Sequence, residues 1–277
     1  MEPALSIERG PIVFVSDVHL GARIGPPQRE QWLIELLAEI PADAGALFIL
    51  GDLFDFWFEY RHAIPKGSFR IGRALADIVD SGVPVVYLGG NHDFWVGSHL
   101  SEELGVRVFL EPILARLHGR SVLLAHGDGL GPGDSGYKVL KAVLRNRLAI
   151  ALFRSIHPDL GIPLGWKVSN TSRHHTKQRE VLLPRILRDI ALPRLVGSTE
   201  AMVMGHVHEP SHFAARGREF LLIGDWIGNF THVRMENGRF TLYRRVDGRH
   251  VALPSEPFPP ELQPIPFEES ERARGAR

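Results

Sequence analysis

Apolar positions along this chain come in two periods. Pro11-Ile12-Val13-Phe14-Val15 is continuously apolar and β-branched, then stops at Ser16-Asp17; this reads as a buried strand with its carboxyl end at the aspartate. Residues 46–50, 83–88, 121–125 and 201–204 repeat that pattern. They end at Gly51-Asp52, Gly89-Gly90-Asn91-His92-Asp93, His126-Gly127-Asp128 and Gly205-His206-Val207-His208. Between the first strands the period lengthens. Pro26-Pro27 open a helical pattern with Trp32, Leu33, Leu36, Leu37 and Ile40 on one face, and Ser68 is expected to cap a second helix that Gly82 closes.

Alternating strands and helices predict a layered α/β fold. In such folds ligands bind beyond the carboxyl ends of the strands, so the five polar clusters are expected to converge. After residue 219 the apolar runs 220–223, 230–235 and 240–244, with turns at Asn237-Gly238 and Asp247-Gly248, predict a β-meander. One domain over 1–253 is expected, followed by a Pro-rich, then charged, poorly ordered tail over 254–277.

Residues 130–195 sit between two strand-end clusters yet read as helical, which predicts an insertion beside the active face. From Ser135 to Arg179 there are nine basic residues and one acid, Asp159. The segment carries +8 while the chain as a whole is neutral, with 32 basic and 32 acidic residues. It is also rich in Leu, Val, Ile and Phe. Such a segment suits a membrane surface or an acidic, greasy ligand; a core-packed helix with a solvated basic face is the plainer alternative. No apolar run approaches the ~18 residues a spanning helix needs, and no basic-then-apolar signal segment follows Met1, so a cytoplasmic protein, at most peripheral to a membrane, is expected. The 277 residues contain no cysteine, which removes disulfides, thiolate metal sites and a thiol nucleophile.

Histidine is abundant, at 14. The strand-end groups Asp17, His19, Asp52, Asn91, His92, His126, His206 and His208 offer carboxylate, amide and imidazole donors and no sulfur. That set suits Mn²⁺, Fe or Zn²⁺. Eight groups exceed the needs of one ion; two ions ~4 Å apart that share a carboxylate would use them.

In order, Ser16-Asp17-Val18-His19, Gly51-Asp52-Leu53-Phe54-Asp55, Gly90-Asn91-His92-Asp93, His126-Gly127-Asp128 and Gly205-His206-Val207-His208 resemble the signature of the calcineurin-like metallophosphoesterases, over roughly residues 11–235. The resemblance implies a four-layer α/β/β/α sandwich with a helical insertion over the active site. It implies that Asp17, His19 and His208 hold one metal, that Asn91, His126 and His206 hold a second, and that Asp52 bridges them. Asp52, Asn91 and His92 become the catalytic residues, with His92 the acid or transition-state donor beside the phosphoryl group. Water acidified by both metals attacks phosphorus in line. Asp55 and Asp93 are expected to orient ligands.

Within that family, Gly51-Asp52-Leu53-Phe54-Asp55-Phe56-Trp57, Gly90-Asn91-His92-Asp93-Phe94-Trp95 and the insertion after His126-Gly127-Asp128 resemble the UDP-2,3-diacylglucosamine hydrolases of lipid A biosynthesis. The proteobacterial type carries Arg at the position of His92. This resemblance implies hydrolysis of a lipid-linked UDP-sugar to UMP and 2,3-diacylglucosamine 1-phosphate at the cytoplasmic face of the inner membrane. The insertion becomes a lid for the acyl chains. Asn91, His92, Asp134, Tyr137, Lys138, Ser172, Arg173, Lys177 and His206 become the substrate contacts. Two divalent ions, Mn²⁺ first, are the implied cofactors, with no nucleic-acid partner and no obligate protein partner. The alternatives are a metallophosphoesterase acting on another nucleotide diphosphate or phosphodiester and, more remotely, a non-catalytic scaffold of the same fold.

Overall fold

The computed structural model describes residues 3–132, 135–173 and 179–267. Two sheets lie face to face. In the first, β2 (Ile12–Val15), β3 (Ala46–Leu50), β4 (Val85–Leu88) and β5 (Arg107–Phe109) run parallel, and the antiparallel meander β11 (Thr231–Glu236), β12 (Arg239–Val246) and β13 (Arg249–Leu253) extends the β2 edge. The second sheet has the order β1 (Leu5–Ile7), β6 (Ile113–Leu117), β7 (Arg120–Ala125), β8 (Ala201–Met204), β10 (Arg218–Leu222), β9 (Ser211–Ala215).

The period of two decides what each strand buries. Ile12 and Phe14 of β2 face the second sheet with Phe48, Leu50 and Val86, and meet Ala115, Val122, Leu124 and Val203 there. Phe14 stacks on Phe48 with ring centroids 5.1 Å apart. Val13, Val15, Leu47, Ile49 and Tyr87 point the other way and are covered by Leu33, Leu36 and Leu37 of α1 (Arg29–Ala38) and Ile71, Leu75 and Ile78 of α2 (Phe69–Asp80). On the far side of the second sheet, Met202, Met204, Phe220 and Leu222 are covered by Ile186, Leu187, Ala191 and Leu195. The layers are therefore helix, sheet, sheet, helix, as expected.

Four local expectations change. Ser68 makes no capping bond; its hydroxyl donates to the Pro65 carbonyl at 3.0 Å. The 220–223 run does not join the meander but forms β10, parallel to β8, because a strand apolar on both faces needs both faces covered. The helical segment divides in two. α3 (Ser135–Leu144), α4 (Arg147–Arg154) and α5 (Pro158–Arg173) form the insertion, whereas α6 (Arg179–Ile186) and the π-helical turn Leu187–Ala191 lead into the outer helical layer. The first part of the expected tail is packed. Phe258 is 2% exposed against Phe213, Ala214 and Glu256 pair through their backbones, and the buried Arg218 guanidinium donates to the carbonyls of Gly197 and Ile265. Prolines forbid a regular strand there, but Phe258 and Leu262 supply the apolar surface that anchors it.

The meander carries a buried histidine with a consequence for acid stability. His232 is fully buried, stacked on Tyr243 and edge-on to His250. Burial, the His250 ring and Arg234 push it down to about 2. Between that value and the ordinary ~6.5, the unfolded chain takes up a proton that the folded chain refuses, so this residue costs stability as pH falls below about 6.5. The urea midpoint of the wild type is expected to fall between pH 7.5 and pH 5, and that of His232→Phe to fall by less; equal losses would remove His232 from the acid response.

Candidate metal centre

Loops after β2, β3 and β4 of one sheet meet loops after β7 and β8 of the other. The first two are zipped together: Asp17 N–H donates to the Gly51 carbonyl at 3.2 Å and His19 N–H to the Asp52 carbonyl at 2.8 Å. Asp17, His19, Asp52 and His206 all lie in the left-handed region, with φ of 53°, 50°, 53° and 66°. Such conformations cost about 1–3 kcal/mol each outside glycine. The pairing of Asp17 with His19 thus comes from a strained turn and not from alternation along a strand. Gly90 lets the loops close: a Cβ there would land on Asp52 Oδ1.

Two donor clusters built from strand-end residues result, and a third group, His19, Asp55 and His92, lies beside them. Asp17, His19 and His208 each place one ligand atom within 4.8 Å of the others, as do Asp52, His126 and His206. His208 Nε2 is 3.4 Å from Asp17 Oδ1, and Asn91 Oδ1 is 3.1 Å from His126 Nε2. Asp52 Oδ2 reaches both clusters, at 3.4 Å from His126 Nε2 and 3.7 Å from His19 Nε2. Several of the remaining atoms are already committed. His126 Nδ1 donates to the Leu50 carbonyl at 2.8 Å, which leaves Nε2 facing the centre. Asp17 Oδ2 accepts from Ser16 and from the His206 amide. His208 Nδ1 lies 3.5 Å from Asp225, whose other oxygen is held by the amides of Ile227, Gly228 and Asn229. The Asp93 carboxylate accepts from Tyr87 and from the amides of Asp52, Phe54 and Gly90.

The donor set fits divalent cations. Asp17 Oδ1 and both ring nitrogens of His19 are buried without a hydrogen-bond partner, a costly state that bound cations would relieve at Asp17 Oδ1 and His19 Nε2. The electrostatics of the pocket have the same sign. Burial works to raise the Asp52 carboxyl, yet the imidazoles of His126 and His92 hold it well below its usual range. Burial works to lower His126, yet Asp52 lifts it well above its usual range. Burial and the neighbouring His126 push His206 down to about 4. Burial and the Asp52 charge push Asp93 up to about 6. The carboxylates raise two of the imidazoles, His126 and His208, against the effect of burial, the negative field that also favours a cation.

His92 is placed by the insertion. Its Nδ1 lies 2.6 Å from Ser169 Oγ and 3.1 Å from the Asp55 carbonyl, and the Ser169 hydroxyl donates to that same carbonyl at 2.7 Å. The proton therefore sits on Nδ1, and Nε2 turns toward Asp52, 4.0 Å away. Ser169 lies on α5, 77 residues along the chain, and no local pattern marks it. Ser169→Ala removes the shorter of the two contacts of His92 Nδ1, leaving the Asp55 carbonyl, and is expected to lower kcat about tenfold, since a lost hydrogen bond costs about 1 kcal/mol or more. Steady-state kinetics across pH checks this: a shifted profile, with Thr restoring it, separates positioning from simple loss of packing.

The same helix docks tightly. A Cβ on Gly165 would land in the Phe56 ring, and one on Gly161 on the Tyr60 hydroxyl. Phe153 of α4 packs against Phe58 and Trp95, and Trp95 Nε1 donates to the Leu144 carbonyl at 2.8 Å. Between insertion and body lies a cavity of about 320 Å³ walled by Phe56, Trp57, Phe94, Trp95, Phe153 and Leu164, and open to Asn91 and His92.

All eight strand-end groups expected from the sequence thus come together. Asp134 and Lys177 lie outside the described residues, as do the side chains of Tyr137, Lys138, Ser172 and Arg173. Asp225 was overlooked; its signal was Gly224-Asp225 behind the apolar run of β10, the same pattern as Gly51-Asp52.

Residues 10–210 match the family model described as calcineurin-like phosphoesterase. The chain belongs to that family. Among curated relatives of this phosphoesterase, the UDP-2,3-diacylglucosamine hydrolase of Porphyromonas gingivalis is 32% identical over 267 residues, covering 89% of this chain and 98% of the relative. The UDP-2,3-diacylglucosamine hydrolase of Stenotrophomonas maltophilia (strain R551-3) is 32% identical, covering 83% and 96%. Among solved structures, the phosphoesterase YfcE from E. coli aligns at 17% identity with a TM-score of 0.44, over 87% of this chain and 97% of that one.

Proposed function

We propose that this phosphoesterase hydrolyses the diphosphate bond of UDP-2,3-diacylglucosamine, with water attacking the α phosphorus to release UMP and 2,3-diacylglucosamine 1-phosphate. The observation that carries the reading is the aromatic chamber opening directly on Asn91 and His92. A phosphoester centre with a greasy chamber at its edge fits a substrate that is anionic at the bond to be cut and apolar beside it. The names of the two relatives support the same choice.

Asp17, His19 and His208 would hold one dication and Asn91, His126 and His206 the other, with Asp52 between them. Bound there, two ions, Mn²⁺ ahead of Fe or Zn²⁺, supply charge neutralisation at the phosphoryl oxygens and a water acidic enough to react at neutral pH. The chain supplies the rest. His92, with Nδ1 committed to Ser169, offers Nε2 to a phosphoryl oxygen. Phe56, Trp95 and Phe153 exclude water beside the bond. Asn91, His92 and His206 contact the phosphates, and Asp134, Tyr137, Lys138, Ser172, Arg173 and Lys177 from the insertion contact the head group; an unaltered KM in Arg173→Gln and Lys177→Gln counts against the last group.

We also place the enzyme on an anionic membrane surface. Leu148, Leu152 and Leu160 of the insertion are 74%, 71% and 68% exposed beside Arg147 and Arg154, a pattern suited to an interface. Among the described residues no helix is long and apolar enough to cross a membrane. Co-sedimentation with anionic vesicles at low salt checks this, and protein left in the supernatant contradicts it.

The function itself is tested by offering the Mn²⁺-loaded protein UDP-2,3-diacylglucosamine, UDP-N-acetylglucosamine and a simple phosphodiester. UMP release from the diacyl substrate, with kcat/KM at least about a hundredfold above the others, is expected; each tenfold reflects about 1.4 kcal/mol from the acyl chains in the chamber. Turnover of the soluble substrates alone moves the protein to a general diphosphatase or phosphodiesterase.

A further inference from the structure

A second cavity, of about 580 Å³, opens where the insertion meets the body, and none of the metal-centre donors lines it. Residues 60–63, from the loop between β3 and α2, form one wall, and the end of α4 with the start of α5 forms the other. Arg61 and His62 line the first wall and Arg154 the second, with no carboxylate among the lining residues. All three residues are exposed, and among the described residues none has an acidic partner. Lys141 and Arg145 of the same insertion are instead spent on body carboxylates, those of Asp128 and Glu111, at 2.6 Å each. The Arg154 guanidinium lies over the Phe58 ring, 6.0 Å from its centroid, which sets its plane and leaves its N–H edge for an acceptor. Like charges gathered around one cleft repel one another unless an anion enters. The flanks of the groove are greasy. The first wall runs on into Ile64 and Phe69, the latter 79% exposed, and the second is bracketed along the chain by the exposed Leu152 and Leu160.

We infer that this groove binds the phosphodiester head group of an anionic phospholipid. This rests on the membrane placement proposed above and narrows it from a charged surface to a site. Arg61, His62 and Arg154 donate to the phosphodiester oxygens, and a guanidinium pairs with phosphate through two parallel N–H bonds. Ile64, Phe69, Leu152 and Leu160 enter the acyl boundary on either side. A free phosphate would leave those apolar flanks in water, whereas a lipid within its bilayer covers them. The groove shares no lining residue with the aromatic chamber, so a phospholipid held there anchors the protein while substrate turns over beside it.

Binding of the Mn²⁺-loaded full chain to vesicles of phosphatidylcholine mixed with phosphatidylglycerol tests the site against charge alone. Two charge-matched double variants are compared: Arg61→Gln with Arg154→Gln in the groove, and Lys66→Gln with Arg147→Gln outside it. Diffuse attraction counts basic residues near the surface wherever they stand, at about fivefold each, so it weakens both variants alike. A site that pairs guanidinium with phosphate is expected to make the groove variant at least about tenfold weaker than the outside variant. Metal content at the wild-type level marks an intact fold in each. Monomeric dihexanoylphosphatidylglycerol is expected to displace the wild type from the vesicles, and glycerol 3-phosphate is not. Equal weakening of the two variants overturns the inference and leaves the membrane placement standing. Displacement by glycerol 3-phosphate as effective as by the short lipid does the same, since the groove would then serve free phosphate. A wild type that stays in the supernatant overturns the membrane placement and the inference with it. The hydrolysis reading is decided separately, by UMP release.

Discussion

Asp52→Asn is expected to fold, to hold fewer than two dications per chain and to lose hydrolysis by about three orders of magnitude or more. The substitution is close to isosteric. Asp52 Oδ1 accepts from the His92 amide at 2.9 Å, and an asparagine oxygen keeps that bond. What disappears is the charge on Oδ2, the atom within 4.0 Å of His19, His92 and His126. It reaches both donor clusters, so its loss is expected to weaken both ions at once. Metal ions contribute several kcal/mol to stabilising a phosphoryl transition state, and each 1.36 kcal/mol is tenfold in rate. Metal content by mass spectrometry, read beside UMP release, checks the expectation. Two ions per chain and activity within tenfold of the wild type would show that Asp52 does not bridge.

Gly165→Leu is expected to lower kcat/KM for the diacyl substrate about a hundredfold while leaving the metal content at the wild-type level. Gly165 has the Phe56 ring where a side chain would begin. Phe56 is buried among Trp95 and Phe153, so the ring has nowhere to retreat and α5 must move instead. Overpacking of this kind costs about 1–3 kcal/mol in stability. Its catalytic effect is larger, because the same helix closes the aromatic chamber and carries Ser169 to His92. A displacement of about 1 Å is enough for a hundredfold loss. Metal content together with kinetics distinguishes this from collapse of the centre: a loss of bound metal in Gly165→Leu would mean that the insertion supports the ligands themselves.

The candidate metal centre was legible in the chain because its donor groups follow closely on strands that are apolar on both faces. β2, β3, β4, β7 and β8 read as strands without ambiguity, and a donor follows each within three residues. Strands with a mixed pattern escaped. β6 carries Arg116, β9 carries Ser211 and His212, and β1 and β5 have three residues each, too short for a period to show. The contacts that finish the site escaped for another reason. Ser169 meets His92, Lys141 meets Asp128 and Arg145 meets Glu111 only when the insertion folds back over the body. A count of nine basic residues cannot say which of them face the substrate. Phe258 shows the converse: in a Pro-rich stretch, Phe258 and Leu262, with backbone bonds at Glu256, hold the chain against a sheet without any period to mark it.

The most direct test of the two-metal hydrolysis proposed for this phosphoesterase is to run the reaction on UDP-2,3-diacylglucosamine in ¹⁸O-labelled water and weigh both products. One ¹⁸O in UMP and none in 2,3-diacylglucosamine 1-phosphate is the expected result, since water is to attack the α phosphorus beside the nucleotide. Label in the lipid phosphate, or no cleavage of the diphosphate at all, would contradict it.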